Sequence, residues 1–180
     1  MGRKQNLTVD QQERSPADRN VSRPDALTIV LVHPRIPPNT GNIARLCAAT
    51  GTRLHLIRPL FRIDDAKLKR AGLDYWPLLD VRVFKDWPEW VDQYQDALDA
   101  GRCWLVEVGG QNVYTEVSYR PGDYLIFGDE EDGLSPELMA EHAEQTLRLP
   151  QQGVRSLNLS NAVAVVCYEA LRQLDWPELH

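Results

Sequence analysis

The chain has 180 residues, of which 43% are hydrophobic and 26% charged, a composition that suits one domain of ordinary size with a real core. No apolar run reaches the roughly 18 residues that a membrane span requires, and the polar N-terminus lacks the apolar stretch of a signal peptide, so we expect a cytoplasmic protein without membrane contact. The net charge of −6 argues against a broadly basic coat for nucleic acid, although a local basic patch is compatible with it.

The first 25 residues are polar, without period and nearly free of large apolar side chains, which is typical of a disordered tail. We expect the folded domain to occupy residues 26–180. Within it, short β-type runs alternate with helical ones, and runs such as Ile29 to Val32 are apolar at consecutive positions, as in central parallel strands. The pattern predicts an α/β fold with a mostly parallel sheet and helices on both faces.

The predicted elements, in chain order, are the strand LTIVLV, a helix after Asn39, the strand RLHLIRPL, a helix from about Asp64, the strand VRVF, the helix EWVDQYQDAL, the strands CWLVEV and YLIFG, a short helix after Ser135, the strand TLRLP, and a closing helix from about Asn158 to Leu174. At the start of the first helix, two prolines should block a continuing strand, while Asn39 or Thr40 caps the helix. Gly51 should end this helix in a left-handed conformation.

Three loops that follow predicted strands carry unusual chemistry. They are PRIPPNTGN (the first loop, 34–42), GDEEDGLSPE (the second loop, 128–137) and PQQGVRSLNLSN (the third loop, 150–161). In open α/β sheets, ligands gather at such loops, beyond the carboxyl ends of the strands.

Each loop has a feature that suits a ligand. The first leads into a helix whose free N–H groups attract anions, and it places Asn42 and Arg45 three residues apart. The second begins at Gly128 and returns through Gly133, where the backbone can turn tightly or approach a ligand closely. The third has more polar groups than one helix cap requires, and hydroxyls, amides and an arginine suit a sugar-phosphate. These groups are Arg155, Ser156, Asn158, Ser160 and Asn161.

The sequence contains no metal-binding pattern and no ordinary nucleotide-binding motif. Cys47, Cys103 and Cys167 lie in apolar segments without a C-x-x-C pair, so we expect buried free thiols, and the histidines lack metal-ligand spacing. Neither G-x-G-x-x-G after the first strand nor G-x-x-x-x-G-K-[ST] is present. The acidic run at 129–132 is expected to be a solvated turn, with a Mg²⁺ site or an acid–base carboxylate pair as less favoured alternatives. We predict no metal.

Three segments, IPPNTGNIARLCAATG, YLIFGDEEDGLSPE and LRLPQQGVRSLNLSNAVAVVCYEALRQL, resemble in order and spacing the three signature motifs of the SpoU class of SPOUT RNA ribose 2′-O-methyltransferases. The likeness is strongest to the TrmL-like (YibK-like) enzymes of the tRNA wobble position and runs from about Leu27 to Leu174. It implies a homodimer whose C-terminal part is tucked into a deep trefoil knot, a rare exception to unknotted chains. It also implies S-adenosylmethionine as methyl donor, S-adenosylhomocysteine as product, and no metal.

The resemblance also implies where the cofactor binds, bent among the second and third loops. By their positions in the motifs, the expected contacts are Val106, Gly128, Leu149 and Ser156, together with Glu130, Gly133 and Leu134. Apolar residues among them suit adenine and the methionine methylenes.

The implied reaction transfers a methyl group to the ribose 2′-OH of the wobble nucleotide, a cytidine or uridine at position 34 of tRNA. Attack by a weakly acidic hydroxyl depends on positioning and on stabilising the anion. Arg45 is expected to hold the adjacent phosphate and help activate the hydroxyl, with Asn39 shaping the pocket. Arg155 and Asn158 would place RNA or cofactor. Tyr168 is either a further site residue or part of the dimer packing.

The second loop departs from the family pattern, in which a small residue or proline follows the glycine and a basic residue is common before Gly-Leu-Pro. Here Asp129, Glu131 and Asp132 add negative charge and Ser135 replaces the proline, so we expect weaker attraction for phosphate. Three alternatives stay open: the same chemistry at another tRNA or rRNA position, a catalytically silent RNA-binding dimer of the same fold, and a nucleotide-binding regulatory domain that never meets RNA.

Overall fold

The computed structural model describes residues 25–62 and 79–176. The strands of these residues form one sheet and are β1 Thr28–Val32, β2 Arg53–Ile57, β3 Val81–Phe84, β4 Cys103–Val106, β5 Asn112–Val113, β6 Tyr124–Phe127 and β7 Thr146–Arg148. The strand order is β3-β2-β1-β6-β4-β7-β5, and every neighbouring pair is parallel. The predicted α/β class with a mostly parallel sheet is confirmed.

Helices connect β1 to β2, β3 to β4 and β6 to β7, as the alternating pattern predicted. They are α1 Pro37–Thr50, α2 Trp87–Asp99, α3 Pro136–Glu141, the 3₁₀ turn Ala143–Gln145, and α4 Leu159–Gln173. The helix predicted from about Asp64 lies outside the described residues, as does the predicted tail except for Asp25, so both stay predictions. Strand β5 was missed because two residues are too short to show a period.

Helices cover both faces of the sheet, so alternate residues of β1 point into two separate hydrophobic cores. On one face, Ile29 packs in a cluster with Ile43 of α1 and Val166 of α4. On the other face, Val30 packs with Trp90 of α2. All five residues of β1 are buried, and each large apolar side chain that is fully buried contributes about 1.5–3 kcal/mol. The consecutive apolar run therefore reads correctly as a central strand.

Helix α1 begins earlier than predicted, at Pro37. The two prolines fill its first positions, where the missing N–H groups have no intrahelical partner to lose, and Ile36 is the N-cap without a side-chain cap bond. The prediction that Asn39 or Thr40 caps the helix is wrong, because both lie inside its first turn. Gly51 ends α1 with φ of 68°, in the left-handed conformation that was predicted.

The two helices that follow the second and third loops start at side-chain caps. Ser135 accepts a hydrogen bond from the N–H of Leu138 at the start of α3. Asn158 caps α4 by accepting from the N–H groups of Ser160 and Asn161, and the predicted span from Asn158 to Leu174 matches this helix and its caps. Both caps fix the point at which each loop enters its helix.

Candidate active site

The first, second and third loops lie together at the carboxyl edge of the sheet. Strands β1 and β6 are neighbours, with Leu31 paired to Phe127, which places the first loop beside the second. The third loop follows β7, which pairs with β4 next to β6. Together with the end of β4, the loops enclose a cavity of about 490 Å³.

Nine of the twelve residues predicted for the site line this cavity, namely Asn39, Val106, Gly128, Glu130, Gly133, Leu149, Arg155, Ser156 and Asn158. The other three, Arg45, Leu134 and Tyr168, are not among the lining residues. The structure thus brings together the residues of all three loops, which was the main expectation from the sequence.

A chain of side-chain hydrogen bonds joins the three loops. The Glu130 Oε1 atom accepts from Asn39 Nδ2 at 3.0 Å, which links the second loop to the first. The Oδ1 atom of Asn39 accepts from Asn158 Nδ2, also at 3.0 Å, which links the first loop to the third. Asn39 is only 6% exposed, so these bonds are shielded from competing water. The amide that was expected to cap α1 instead lies at the junction of the site.

The amide orientation of Asn158 is fixed from both ends. Its Oδ1 atom caps α4, accepting from Ser160 N at 3.0 Å and from Ser160 Oγ at 2.7 Å. Its Nδ2 group is therefore turned toward Asn39. A second tie runs beside it, because Arg155 Nη2 donates to the backbone carbonyl of Glu131 at 2.6 Å. Arg155 and Asn158, two of the predicted polar residues of the third loop, thus each contact another loop.

The second loop is a tight turn held by its own backbone. Asp129 Oδ1 accepts from the N–H groups of Glu131 and Asp132 at 2.8 and 2.7 Å, and an antiparallel bridge joins Asp129 to Gly133. A Cβ atom at Gly128 would lie 2.0 Å from the backbone carbon of Gly133. The sequence predicted a tight turn or a close approach to a ligand at Gly128, and the structure shows that the returning second loop packs against this glycine.

The acidic run at 129–132 is not simply the solvated turn that was expected, because Arg35 of the first loop contacts it. The guanidinium lies 3.2 Å from Asp129, 3.3 Å from Glu131 and 2.7 Å from Asp132. Burial would raise the pKa of Asp129, but the hydrogen bonds from the backbone N–H groups of Asp132 and Glu131 and from Arg35 outweigh it and lower that pKa. The sequence signal for Arg35 was charge complementarity between two loops.

Sequence reasoning also missed Glu107, which follows β4 and lines the cavity. Its Oε2 atom accepts from the N–H of Leu134 at 2.9 Å, and its Oε1 atom accepts from the N–H of Val108 at 2.8 Å. Gly133, with φ of 71°, leaves room for this carboxylate, because a Cβ atom there would lie 2.2 Å from Oε2. The side chain of Leu134 packs into the core with Trp90, so its backbone is the part nearest the site.

Arg45 and Tyr168 lie outside the cavity of the single chain. Arg45 is exposed on α1, six residues after Asn39. Tyr168 is 44% exposed on α4, and its ring lies 5.8 Å from that of Trp176. Neither position is on the wall formed by the three loops.

Across residues 25–62 and 79–176, no group of three or more His, Cys, Asp or Glu side chains is placed to hold a metal ion. In the same two stretches, no helix has both the length and the apolar character needed to cross a membrane. The carboxylates of the second loop are instead directed at Arg35 and at backbone N–H groups.

The cavity suits an amphipathic ligand of moderate size. Its volume lies within the range of about 300–1,000 Å³ that is common for small-molecule sites. Val106, Phe127 and Leu149 supply an apolar wall, while carboxylates outnumber cations around the rest. Such a site accommodates a flat apolar group beside a positively charged one.

Comparison with known proteins agrees with this geometry. Residues 26–168 match the SpoU rRNA Methylase family, which covers more than half of the chain. The chain belongs to this family. Among SpoU relatives, a protein of Burkholderia pseudomallei named tRNA (cytidine(34)-2′-O)-methyltransferase is 51% identical over 148 residues, which cover 81% of this chain and 94% of the relative.

Solved SpoU-type structures share the fold. One, from work on the 2-OH methylation of C/U34 on tRNA, is 46% identical with a TM-score of 0.76 and covers 85% of this chain and 99% of its own. Another is the SpoU methyltransferase AviRb of Streptomyces viridochromogenes in complex with the cofactor AdoMet, 27% identical with a TM-score of 0.74. That match covers 88% of this chain and 64% of AviRb.

Proposed function

We propose that the chain transfers a methyl group from S-adenosylmethionine to the ribose 2′-OH of nucleotide 34, a cytidine or uridine, in tRNA. The observation that carries this proposal is the junction of the three motif loops around one cavity, joined through Glu130, Asn39 and Asn158. The names of relatives that match over most of the chain support the same reaction at the same nucleotide.

The residues of the cavity fit S-adenosylmethionine. Val106 and Leu149 would contact adenine and the methionine methylenes, and Ser156 and the backbone around Gly128 would supply hydrogen bonds. The carboxylates of the lining suit the positive charge of the sulfonium and ammonium groups. When bound, the cofactor would supply an electrophilic methyl group to the 2′-oxygen and leave as S-adenosylhomocysteine, while the hydroxyl proton would pass to solvent.

In this proposal the residues of the chain position the reacting groups. The chain of bonds from Glu130 through Asn39 to Asn158 holds the loops at fixed separation, so little reorganisation accompanies the reaction. Arg45, exposed beyond the cavity, would serve the RNA side by binding the phosphate next to the target ribose. Arg155 would keep the third loop against the second.

We also propose the assembly and location that the resemblance implies, namely a cytoplasmic homodimer whose C-terminal part forms a trefoil knot. The strand order supports the knot, because β4 lies between β6 and β7. Exposed apolar side chains on and after α4 support a dimer: Val165 is 41%, Tyr168 44% and Trp176 38% exposed. Tyr168 then belongs to the subunit contact or to a site shared between subunits.

The direct test mixes the purified chain with methyl-labelled S-adenosylmethionine and unmodified tRNA, followed by mapping of the product nucleotide. We expect label on the ribose of nucleotide 34. Label on a base, or on another tRNA or rRNA position, would contradict the assignment. Tight RNA binding without transfer would identify a catalytically silent RNA-binding protein.

Replacing the expected phosphate-binding arginine tests its role. Arg45→Ala should reduce methyl transfer by about 10²-fold or more, the size found when one group that stabilises a developing anion is removed. Affinity for S-adenosylhomocysteine should stay unchanged, because Arg45 is outside the cavity. The control is Arg82→Ala, which removes an exposed arginine on β3 and should leave transfer intact. Undiminished transfer by Arg45→Ala would refute the role.

A further inference from the structure

Arg35 contacts the second loop with both its side chain and its backbone. The guanidinium reaches three carboxylates, those of Asp129, Glu131 and Asp132. The backbone N–H of Arg35 donates to Glu130 Oε2 at 2.9 Å. One residue of the first loop therefore contacts all four acids of the run at 129–132, and no expected role of the three motifs accounts for it.

These contacts lie next to the junction that joins the loops. Glu130 receives the N–H of Arg35 on Oε2, while its Oε1 atom accepts from the N–H of Ile36 at 3.2 Å and from Asn39 Nδ2 at 3.0 Å. The position of Glu130 against Asn39 therefore depends on how closely the first loop approaches the second. The guanidinium of Arg35 is the charged group that draws the two loops together.

Charge balance gives this contact a physical consequence. Four consecutive acids repel one another, and Glu131 and Asp132 are exposed enough to swing away, with side chains 71% and 76% accessible. Asp129 stays in place through its own backbone hydrogen bonds. Without the guanidinium, repulsion acts mainly on the outer half of the loop, which forms part of the cavity wall.

We propose that Arg35 is a positioning residue that latches the acidic second loop to the first loop and thereby keeps Glu130 against Asn39 and the cavity closed around its ligand. The identity of that ligand rests on the proposed function. The latch itself concerns only the two loops. Its hydrogen bond to Asp129 raises the pKa of Arg35, so the guanidinium stays charged across the working pH range.

The experiment measures binding of S-adenosylhomocysteine to the full chain by calorimetry, because the charges of this molecule cancel and direct attraction to the acids is small. Arg35→Ala should weaken binding by about tenfold, a coupling typical of residues in one charged network. Arg35→Glu should weaken it further by adding a fifth carboxylate. Adding Asp132→Arg to Arg35→Glu should restore affinity to within about threefold of the original chain, because the swapped pair attracts again.

Two further measurements separate a latch from a general loss of structure. Arg35→Lys should keep only part of the affinity for S-adenosylhomocysteine, because an ammonium group cannot contact three carboxylates at once in the way that a planar guanidinium does. Raising the salt concentration should weaken binding more in the original chain than in Arg35→Ala. Salt screens the ion pairs between Arg35 and the acidic run, and the variant lacks these pairs. The matched control is Arg172→Ala, which removes an arginine bound to Glu169 by two hydrogen bonds of 2.8 Å on α4, and should leave affinity unchanged.

The outcomes distinguish the latch from the proposed function. Equal affinity in Arg35→Ala and the original chain, or no recovery on adding Asp132→Arg to Arg35→Glu, would overturn the latch while leaving the function intact. If the original chain does not bind S-adenosylhomocysteine, the proposed function fails. Amide hydrogen exchange at residues 130–132 then tests the latch by itself: exchange should be faster in Arg35→Ala, and an unchanged rate would overturn the latch.

Discussion

Asn39 holds two loops with one amide because it offers a donor and an acceptor at the same time. Its Nδ2 group donates to Glu130, and its Oδ1 atom accepts from Asn158. A carboxylate of the same shape has no donor, and an aliphatic side chain has neither group. The site therefore depends on the chemical identity of this side chain as well as on its shape.

Asn39→Asp should lower the free energy of unfolding by about 1–3 kcal/mol, because a new carboxylate would face that of Glu130 and leave a buried bond unmade. Urea unfolding at pH 7 measures the change. The control is Asn42→Asp, on the exposed side of the same helix, which should change the free energy by less than about 0.5 kcal/mol. Equal effects of the two substitutions would show that the junction adds nothing to stability.

The prediction that Asn39 caps α1 was wrong because the partners of this side chain are far away in the sequence. Local rules recognise asparagine near a helix start as a cap, but the partners of this side chain lie 91 and 119 residues away. Arg35 and Glu107 were missed for the same reason, since each contacts residues that only the fold brings near. Asn158 was within reach of local rules, because its cap bonds lie two and three residues ahead.

Among the elements, α2 rests on the sheet through aromatic rings that enclose a histidine of β2. Trp90 stacks on Tyr94 with centroids 4.9 Å apart, and Trp90 Nε1 donates to His55 Nδ1 at 3.1 Å. His55 is 1% exposed, and its Nε2 atom has no hydrogen-bond partner among the described residues. Burial, followed by the nearby charge of Arg82, lowers the pKa of His55 to about 3.

This buried histidine should make stability fall as the pH is lowered through the value of the unfolded chain. His55 stays neutral in the fold, whereas the unfolded chain takes up a proton below about pH 6.5, so its contribution is fully present above that pH and shrinks toward pH 3. Between pH 7 and pH 5, the loss should be about 2 kcal/mol. His55→Phe should flatten the urea-derived pH dependence over this interval. Parallel curves for the two chains would contradict it.

The strands were the elements most open to prediction. Their apolar runs are continuous because both faces of the sheet are covered, and β1, β2 and β6 were located within a few residues from that pattern alone. The start of α1 was not, since a proline pair is compatible both with a strand end and with the first turn of a helix. The sequence alone therefore could not show whether Pro37 and Pro38 precede the helix or form its first turn.

The three cysteines show that the core excludes solvent in distant parts of the molecule. Cys47, Cys103 and Cys167 are buried free thiols, as predicted, and they belong to α1, β4 and α4. Burial raises the pKa of Cys103 and of Cys167 to about 12 and shifts that of Cys47 in the same direction. Each thiol is therefore both shielded and protonated at neutral pH.

A thiol reagent should consequently react with these cysteines only as the entire molecule unfolds. In a urea series, the labelling rate should rise together with the loss of circular dichroism, because global opening is required to expose all three side chains. Ala49→Cys provides the positive control, since this exposed position on α1 should be labelled at once. Labelling of one native thiol well below the unfolding midpoint would reveal an independently opening part.

The junction joins residues that are 91 and 119 positions apart in sequence, and this separation affects the folding and the stability of the protein. Bringing such distant parts of the chain together costs conformational entropy, so these contacts depend on the rest of the fold to hold the loops close. The unfolded chain therefore has no binding site, and a small molecule that fills the cavity binds the folded state alone. A higher concentration of this ligand therefore shifts the equilibrium toward the folded state by mass action. This lowers the fraction of unfolded chain that chaperones and proteases can bind.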